Sequence, residues 1–471
     1  MSNPLAPGWL KEPEDPNQLH SGVWPSSARR DSHGVLSIGG VSTDELIAQY
    51  GSPLYVLDKF DFVSRAIAAR EAVEIECEKH GVEGRVYYAS KAFLSADIVS
   101  WVCGAGLGLD VSSAGEMAIA IAGGADPSVL EFQGNNKSED ELAQAMSVGV
   151  EYIVIDAEIE ADRIQKIAQG MDARQKVMIR VNSGVHAETH EYLATAREDQ
   201  KFGVSLQEAL ALASKVQESS NLKLVGLHSH IGSQIFRLEP FLEAARIMLE
   251  LYEQLSFDEE RLTLNLGGGF GISYTGADQP EQLSDMLKEI VNYVALASSE
   301  RGIPMPNLAF EPGRAIAGPP GVTLYSVGIS KPVNVTLDRE DAVRTYLSVD
   351  GGMSDNLRPA LYGANYSARI ASRLSEQGPK LVRVVGKHCE SGDIVVDAEY
   401  LPGDVGPGDI LAVAATGAYC HSLGSNYNFL GRPPVVAVSQ GKSVLMVARE
   451  SLDDIFARDQ GLLRARAFVH D

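Results

Sequence analysis

Between residues 86 and 311, short apolar segments alternate with longer amphipathic stretches, and this alternation constrains the fold more than any other feature. Near-continuous apolar strands separated by helices indicate a parallel sheet that is buried on both faces. Eight such units fit a (β/α)₈ TIM barrel better than a doubly wound sheet. The predicted strands, in chain order, are 86–91, 107–112, 129–133, 152–156, 176–181, 224–231, 263–267 and 307–311.

The pattern changes after Pro319 and Pro320, where segments typical of β-strands are separated by glycine and proline turns. We therefore expect an α/β protein with a mostly β C-terminal domain, completed by an N-terminal strand at 54–57. The predicted division is an N-terminal arm and strand at 1–65, the barrel at 66–315 and the C-terminal β domain at 316–471. The predicted C-terminal strands are 322–327, 346–349, 380–386, 394–396, 409–414 and 434–439.

Composition excludes several classes of protein. The formal net charge of −23 argues against a nucleic-acid partner, because phosphate neutralisation needs clustered basic residues. We expect no membrane partner, since the chain has no apolar run long enough to cross a bilayer. Four cysteines in so long a chain do not make a disulfide framework, and the lack of a CxxC pair argues against a structural zinc site; a reduced, cytoplasmic enzyme fits both facts. The four cysteines are Cys77, Cys103, Cys389 and Cys420.

Every predicted barrel strand ends in a polar residue or a glycine. The catalytic groups of such barrels lie at the C-terminal ends of the strands, so these residues would share one mouth. The sequence therefore predicts a single site there. In strand order, the residues are Lys91, Asp110, 134–136, Asp156, Arg180 with Asn182, 230–233, 267–269 and 311–314.

Three of these signals bear on the chemistry, and each has a simpler alternative. Lys91 is either a lysine that extends to the rim or a nucleophilic amine. The glycines 267–269 form either a tight turn or a loop whose amides approach a phosphate. His228 and His230 face the same side and could form a metal pair, but no third ligand lies at matching spacing nearby, which favours stacking or hydrogen bonding. Together they suggest a phosphorylated aldehyde cofactor held as a Schiff base, with no metal.

Several motifs resemble the pyridoxal-phosphate-dependent barrel decarboxylases of the alanine-racemase-like fold, which act on ornithine, arginine or diaminopimelate. Two further motifs, 350–362 and 389–393, are most similar to the diaminopimelate branch of that family. The similarity extends in order from about Gly51 to Val438, which makes it more specific than any single motif. The motifs shared with the whole family are 88–92, 108–116, 228–234, 267–269 and 311–314.

The resemblance implies a role for each candidate residue of the cofactor site. Lys91 would bind pyridoxal 5'-phosphate covalently, Glu311 would pair with the pyridine nitrogen, and His230 would stack on the ring. The residues expected to hold the phosphate are Ser233, Gly269, Gly313, Arg314 and Tyr419. Asp110 and Glu116 are either groups around Lys91 or strand-end and helix-start acids, and for Glu116 we favour the second interpretation.

The resemblance also implies a homodimer with shared active sites. Cys389 and Glu390 would extend into the partner's barrel, with Cys389 as the proton donor. The alternative for Cys389 is a small buried apolar residue, and the alternative for Arg358 is a cap on a turn. The residues expected to bind the small amino-acid substrate are Arg314, Arg358, Tyr362, Glu390 and Tyr419.

The activity implied is decarboxylation of meso-2,6-diaminopimelate to L-lysine and CO₂, the last step of lysine biosynthesis. An acid beside arginines suits a substrate with both a distal ammonium and a distal carboxylate. Alternatives within the same fold are decarboxylation of ornithine, arginine or carboxynorspermidine. An amino-acid racemase is a further alternative, although racemases of this fold usually need a second base.

Overall fold

The computed structural model describes residues 3–185, 201–255, 261–337, 340–462 and 464. The chain forms two compact units. The barrel unit comprises Val63–Ile272 and Pro280–Ile316, and the sheet unit comprises Met1–Phe62, Ser273–Gln279 and Ala317–Asp471. Within the described ranges, no helix combines the length and the apolar character needed to span a bilayer.

The barrel unit contains a closed barrel of eight parallel strands whose order around the barrel follows the chain. Each strand overlaps one predicted from the sequence, so the predicted barrel is confirmed. The strands, numbered one to eight, are Gly84–Ala89, Gly108–Val111, Leu130–Phe132, Tyr152–Ile155, Gln175–Arg180, Leu222–His228, Thr263–Asn265 and Asn307–Phe310.

Helices precede, connect and follow these strands. Several begin after a serine whose side chain accepts a hydrogen bond from a backbone amide of the first turn, as at Ser95, Ser113, Ser138 and Ser205. Such caps satisfy amides that have no partner within the helix. The helices are Lys59–Lys79, Ala96–Gly104, Ala114–Ala122, Glu139–Val148, Glu158–Gly170, Leu206–Glu218, Glu239–Glu253, Leu283–Arg301 and Arg314–Ala317, with short 3₁₀ turns at Ser90–Ala92 and Pro127–Val129.

The interior of the barrel changes from apolar to polar along the strands. One part of the interior is a small apolar cluster of Tyr87, Tyr152, Val154, Met178 and Ala309. Side chains alternate along a strand, so the residue two positions further on faces the same interior. Along strands four, five and eight, that residue is polar: Asp156, Arg180 and Glu311. The barrel therefore has an apolar floor beneath a polar mouth.

The sheet unit is built on a nine-stranded sheet. Its strand Leu54–Asp58 pairs antiparallel with Gly321–Leu337 and parallel with Val435–Ser439, so the N-terminal segment completes the β domain as predicted. Its other strands are Glu340–Val349, Ala368–Ile370, Pro379–Val385, Ile394–Pro402, Ile410–Ala414 and Lys442–Val447, with a separate small sheet of Arg29–Arg30, Leu36–Ile38 and Val41–Ser42. Its helices are Thr43–Tyr50, Arg358–Tyr362 and Leu452–Phe456, with 3₁₀ turns at His421–Leu423 and Tyr427–Phe429.

Two features of the sheet unit differ from or add to the sequence prediction. The strand predicted to end at 327 continues to Leu337 and pairs with Glu340–Val349 in a long hairpin. The side chains described in its outer part are exposed or only half-buried, so no apolar alternation marks it. In the N-terminal arm, Leu5, Ala6 and Leu10 pack against a small apolar cluster of the sheet, which the sequence did not indicate.

Candidate active site

Lys91 and Glu311 lie at the same end of the barrel. Lys91 is in the turn directly after strand one, and Glu311 directly follows strand eight. These strands are hydrogen-bonded neighbours, with Phe310 paired to Val86. Burial and the charge of Glu311 raise the pKa of Asp110 to about 8, and the charge of Lys91 partly opposes that rise. The amine and the acid therefore act on one shared neighbour.

Glu311 is held as a carboxylate by several donors. His228 Nε2 lies 2.8 Å from its Oε1, and the amides of Gln133 and Asn265 each donate to the same oxygen at 2.7 Å. A carboxylate only accepts, so His228 Nε2 must carry a proton. Burial alone would raise the pKa of Glu311, but the charge of His228 and its hydrogen bond outweigh burial and lower that pKa. An ionised Glu311 suits a protonated ring nitrogen.

His230 is neutral at ordinary pH. Burial of the ring lowers its pKa well below the usual value, and the charges of Lys91 and Arg180 lower it further. Its Nδ1 accepts a hydrogen bond from the backbone amide of Gly268 at 3.2 Å. This hydrogen bond places the flat, uncharged imidazole of His230 beside the glycine loop after strand seven.

The loops after strands six, seven and eight offer a cradle for an anion. Arg314 Nη2 donates to Ser233 Oγ at 2.8 Å, so the loops after strands six and eight meet. Gly269 has a φ of 106°, and a Cβ there would lie 2.5 Å from the carbonyl oxygen of Gly232. Only glycine permits that approach, so the backbone rather than a side chain forms this wall. The cradle fits a phosphorylated cofactor.

Buried polar atoms at the mouth also fit a bound group. Four of the buried side-chain atoms that have no hydrogen-bond partner among the described residues belong to residues at or next to these strand ends: Asp110 Oδ1, His228 Nδ1, Ser90 Oγ and Ser229 Oγ. Buried polar atoms are normally satisfied, so a cluster of exceptions indicates contacts made to a ligand. Glu116, by contrast, accepts from the Ser112 amide at 2.7 Å in the first turn of its helix, as expected for a helix-start acid.

Sequence reasoning missed four buried residues that support the mouth: Glu131, Gln133, Asn265 and Lys137. Lys137 pairs with Glu160 at 2.9 Å and donates to two backbone carbonyls. One signal was available, because Glu131 stands between two apolar residues of a short buried strand, where a charge is costly. No comparable signal marks the amides, which are common in loops and turns.

Five candidate residues belong to the sheet unit, and two of them lie on its helix Arg358–Tyr362. Arg358 is only 6% exposed; its guanidinium lies 4.3 Å from the Tyr274 ring and donates to the Tyr366 hydroxyl at 2.5 Å. Tyr362 is 68% exposed. A third, Tyr419, has a φ of 60° just before the turn His421–Leu423.

Cys389 and Glu390 are exposed on the loop between Pro379–Val385 and Ile394–Pro402. Exposure excludes the buried apolar alternative for Cys389. Asp393 fixes the loop by accepting from the amides of Met353 at 2.6 Å and His388 at 2.7 Å. A hydrogen bond from the Gly392 amide lowers the pKa of Glu390 and keeps that side chain ionised.

Comparison with known proteins agrees with this architecture. Residues 62–318 match the pyridoxal binding domain of the pyridoxal-dependent decarboxylases, and residues 321–417 match their C-terminal sheet domain. The barrel, the sheet and the amine–acid–glycine arrangement thus define a pyridoxal-dependent decarboxylase.

Individual relatives indicate which pyridoxal-dependent decarboxylases this chain resembles most in sequence and structure. The diaminopimelate decarboxylase of Mycobacterium bovis is 45% identical over 447 residues, covering 93% of this chain and 98% of the relative. The crystal structure of the M. jannaschii enzyme in co-complex with L-lysine is 29% identical, with a TM-score of 0.84 over 92% of this chain and 98% of that one. The Helicobacter pylori enzyme complexed with L-lysine is also 29% identical, with a TM-score of 0.78 over 89% and 99%. This chain belongs to the diaminopimelate decarboxylase family.

Proposed function

We propose that the protein uses pyridoxal 5'-phosphate to decarboxylate meso-2,6-diaminopimelate, which yields L-lysine and CO₂ as the last step of lysine biosynthesis. The observation that carries this proposal is the shared position of Lys91 and Glu311 at the barrel mouth, in a chain 45% identical to a diaminopimelate decarboxylase. The solved relatives bound to L-lysine support the product.

The residues of the barrel unit that we propose to hold the cofactor lie at the barrel mouth. Lys91 provides the amine that binds it covalently, and ionised Glu311 keeps a proton on the ring nitrogen. Neutral His230 contacts the ring without adding charge. The phosphate is bound by Ser233, Gly269, Gly313 and Arg314, with Tyr419 from the sheet unit.

When bound, pyridoxal phosphate supplies an aldehyde that joins the substrate amine and a ring that takes up the electron pair left as CO₂ departs. The protein contributes orientation and charge. Glu311 provides a fixed negative charge in a buried place, where it acts more strongly than in water. Cys389 donates the proton that replaces CO₂, a role open to an exposed thiol.

Substrate recognition is proposed to use charges of both signs. Glu390 binds the distal ammonium, and its lowered pKa keeps it ionised. The distal carboxylate is bound by Arg314, Arg358, Tyr362 and Tyr419, and each charged hydrogen bond contributes about 1.5–3 kcal/mol. Local arginines also offset the repulsion from a chain of net charge −23.

We further propose a cytoplasmic homodimer with shared active sites, in which Cys389 and Glu390 serve the partner's barrel. The exposure of both residues on a fixed loop supports this assignment. The proposed domains are 1–65, 66–315 and 316–471. Four free thiols support a reducing compartment.

The test is CO₂ release from meso-diaminopimelate, ornithine and arginine by the purified protein with pyridoxal phosphate. We expect release from diaminopimelate, and release from ornithine alone would overturn the substrate assignment. Lys91→Ala should abolish turnover and the visible absorbance of lysine-bound cofactor. Lys166→Ala, a change on the exposed face of Glu158–Gly170, serves as the matched control and should alter neither.

A further inference from the structure

Glu131 is a buried glutamate to which the proposed function assigns no role. It is the central residue of strand three, Leu130–Phe132, and its side chain is fully buried. Its cross-strand neighbours are Asp110 and Tyr152. Tyr152 belongs to the apolar cluster inside the barrel, so Glu131 faces the interior as well. A carboxyl group there is costly unless its polar atoms are satisfied.

Two side-chain amides connect Glu131 to Glu311. Gln133 Nε2 lies 3.0 Å from Glu131 Oε1 and 2.7 Å from Glu311 Oε1. Asn265 Nδ2 lies 3.1 Å from Glu131 Oε2 and 2.7 Å from Glu311 Oε1. Tyr152 also donates its hydroxyl proton to Glu131 Oε2. The two carboxyl groups therefore share their donors and form one hydrogen-bonded unit.

The charges of this unit cannot all be negative. Asp110, Glu131 and Glu311 each place a carboxyl oxygen within 4.8 Å of the others. Buried like charges at that spacing raise one another's pKa, so at least one group holds a proton. Burial, followed by the charges of Glu311 and Asp110, raises the pKa of Glu131 well above its usual value, whereas the pKa of Glu311 is lowered. His228 contacts Glu311 and is the main cause of that lowering, so Glu311 is the ionised member of the pair.

We propose that Glu131 is a positioning residue that stays protonated and donates a hydrogen bond to the carboxylate of Glu311. Through that hydrogen bond, it fixes the orientation and the negative charge of the acid that pairs with the cofactor ring. Its protonation concerns the protein alone, whereas its effect on decarboxylation rests on the proposed function. Supporting groups of this kind orient the residue in direct contact with a bound ligand.

The protonation is tested on the cofactor-free protein by infrared difference spectra between wild type and Glu131→Gln. We expect the variant to lose the carbonyl band of a protonated carboxyl group. Both proteins are measured at the same pH, so a carbonyl band of Asp110, whose pKa is raised to about 8, is common to both spectra and cancels in the difference. The matched control is Glu158→Gln, which removes an exposed glutamate paired with Lys215 and should leave the band unchanged.

The positioning role is tested by comparing two variants with cofactor bound. Glu131→Gln keeps a neutral donor for Glu311 and should retain kcat within about threefold, whereas Glu131→Leu should lower it about 10- to 100-fold. Without its donor, Glu311 has a higher pKa, so the acid limb of the kcat/KM profile should move to higher pH in Glu131→Leu only. If Glu131→Leu fails to fold, the kcat of Glu131→Gln still tests the proposal. Were Glu131 ionised in the wild type, its replacement by neutral Gln would remove a charge beside Glu311 and change kcat strongly.

The outcomes separate this inference from the proposed function. An infrared band that survives Glu131→Gln would overturn the inference, even in an active enzyme. Bound divalent metal in the purified protein, with no protonated band, would overturn it as well, because the three carboxyl groups would then be ligands. If Glu131→Gln loses the band but the wild-type protein releases no CO₂ from diaminopimelate, the protonation of Glu131 is upheld and the proposed function is refuted.

Discussion

At the scale of single residues, position along a strand decides which side chains are chemically available. Lys91 and Glu311 stand at strand ends, where the chain leaves the barrel and a polar side chain meets solvent or ligand. Their types and places were readable from the sequence. Glu131 and Asn265 lie inside the barrel, and only the closed sheet brings them to Glu311. Their importance depends on neighbours more than 40 residues away in sequence.

Replacing Arg358 by lysine tests its proposed contact with the distal carboxylate of the substrate. Arg358→Lys keeps the charge but loses the planar, bidentate donor, so KM for diaminopimelate should rise about tenfold, which corresponds to about 1.4 kcal/mol. L-Lysine retains the carboxylate distal to the reacting carbon, so inhibition by L-lysine should weaken by a similar factor. Steady-state kinetics and inhibition constants measure both.

The control for this prediction is a ligand without a carboxylate. Inhibition by 1,5-diaminopentane should be unchanged in Arg358→Lys, because the guanidinium has no carboxylate to bind. Equal weakening of both inhibitors would instead indicate a general disturbance of the Tyr274 and Tyr366 contacts.

At the scale of elements, the buried pair Lys137–Glu160 connects two parts of the barrel rim. Lys137 follows strand three and Glu160 lies in the helix Glu158–Gly170, and both side chains are almost fully buried. Lys137 also donates to the carbonyl oxygens of Gly134 at 2.6 Å and Val154 at 2.8 Å. One ammonium therefore connects the loop after strand three to strand four and to the following helix.

Lys137→Met should lower the free energy of unfolding by about 3–5 kcal/mol, because it leaves the carboxylate of Glu160 buried without its partner. Adding Glu160→Gln removes the stranded charge, so the double variant should recover part of the loss. Urea unfolding of wild type, both single variants and the double variant measures the effect. Additive losses in the double variant would contradict the explanation.

The elements themselves were predictable to different degrees. The barrel strands carry dense apolar runs because both of their faces are buried, and all eight were found. The hairpin of Gly321–Leu337 and Glu340–Val349 extends beyond its prediction, because its outer part has no buried face to leave an apolar pattern. The N-terminal arm contacts the sheet through a few apolar side chains that no local periodicity marks.

At the scale of the whole molecule, the proposed dimer makes a prediction of its own. Cys389→Ala and Lys91→Ala should each be nearly inactive alone, but each should keep its fold. A mixed dimer would combine the intact lysine of one chain with the intact cysteine of the other. A random equal mixture would then recover about a quarter of wild-type activity, since half of the dimers are mixed and each has one intact site.

The measurement is CO₂ release after the two variants are mixed under conditions that allow subunits to exchange, with the unmixed variants as controls. The matched control is a mixture of Cys103→Ala with Lys91→Ala. Cys103→Ala should be active before mixing, so this mixture should show no recovery beyond the sites that contain the intact Lys91 of the Cys103→Ala chains. Absence of recovery in a mixture with proven exchange would place both residues in one chain's site.

The sequence by itself determined the barrel, the β domain completed by an early strand, and the residues at the strand ends. Apolar periodicity and strand-end chemistry are local properties, so they can be read along the chain. The tertiary structure alone decided which buried groups share protons and donors, above all the Glu131–Glu311 pair and its two bridging amides. Charge states depend on distances between groups far apart in sequence, and those distances exist only once the barrel has closed.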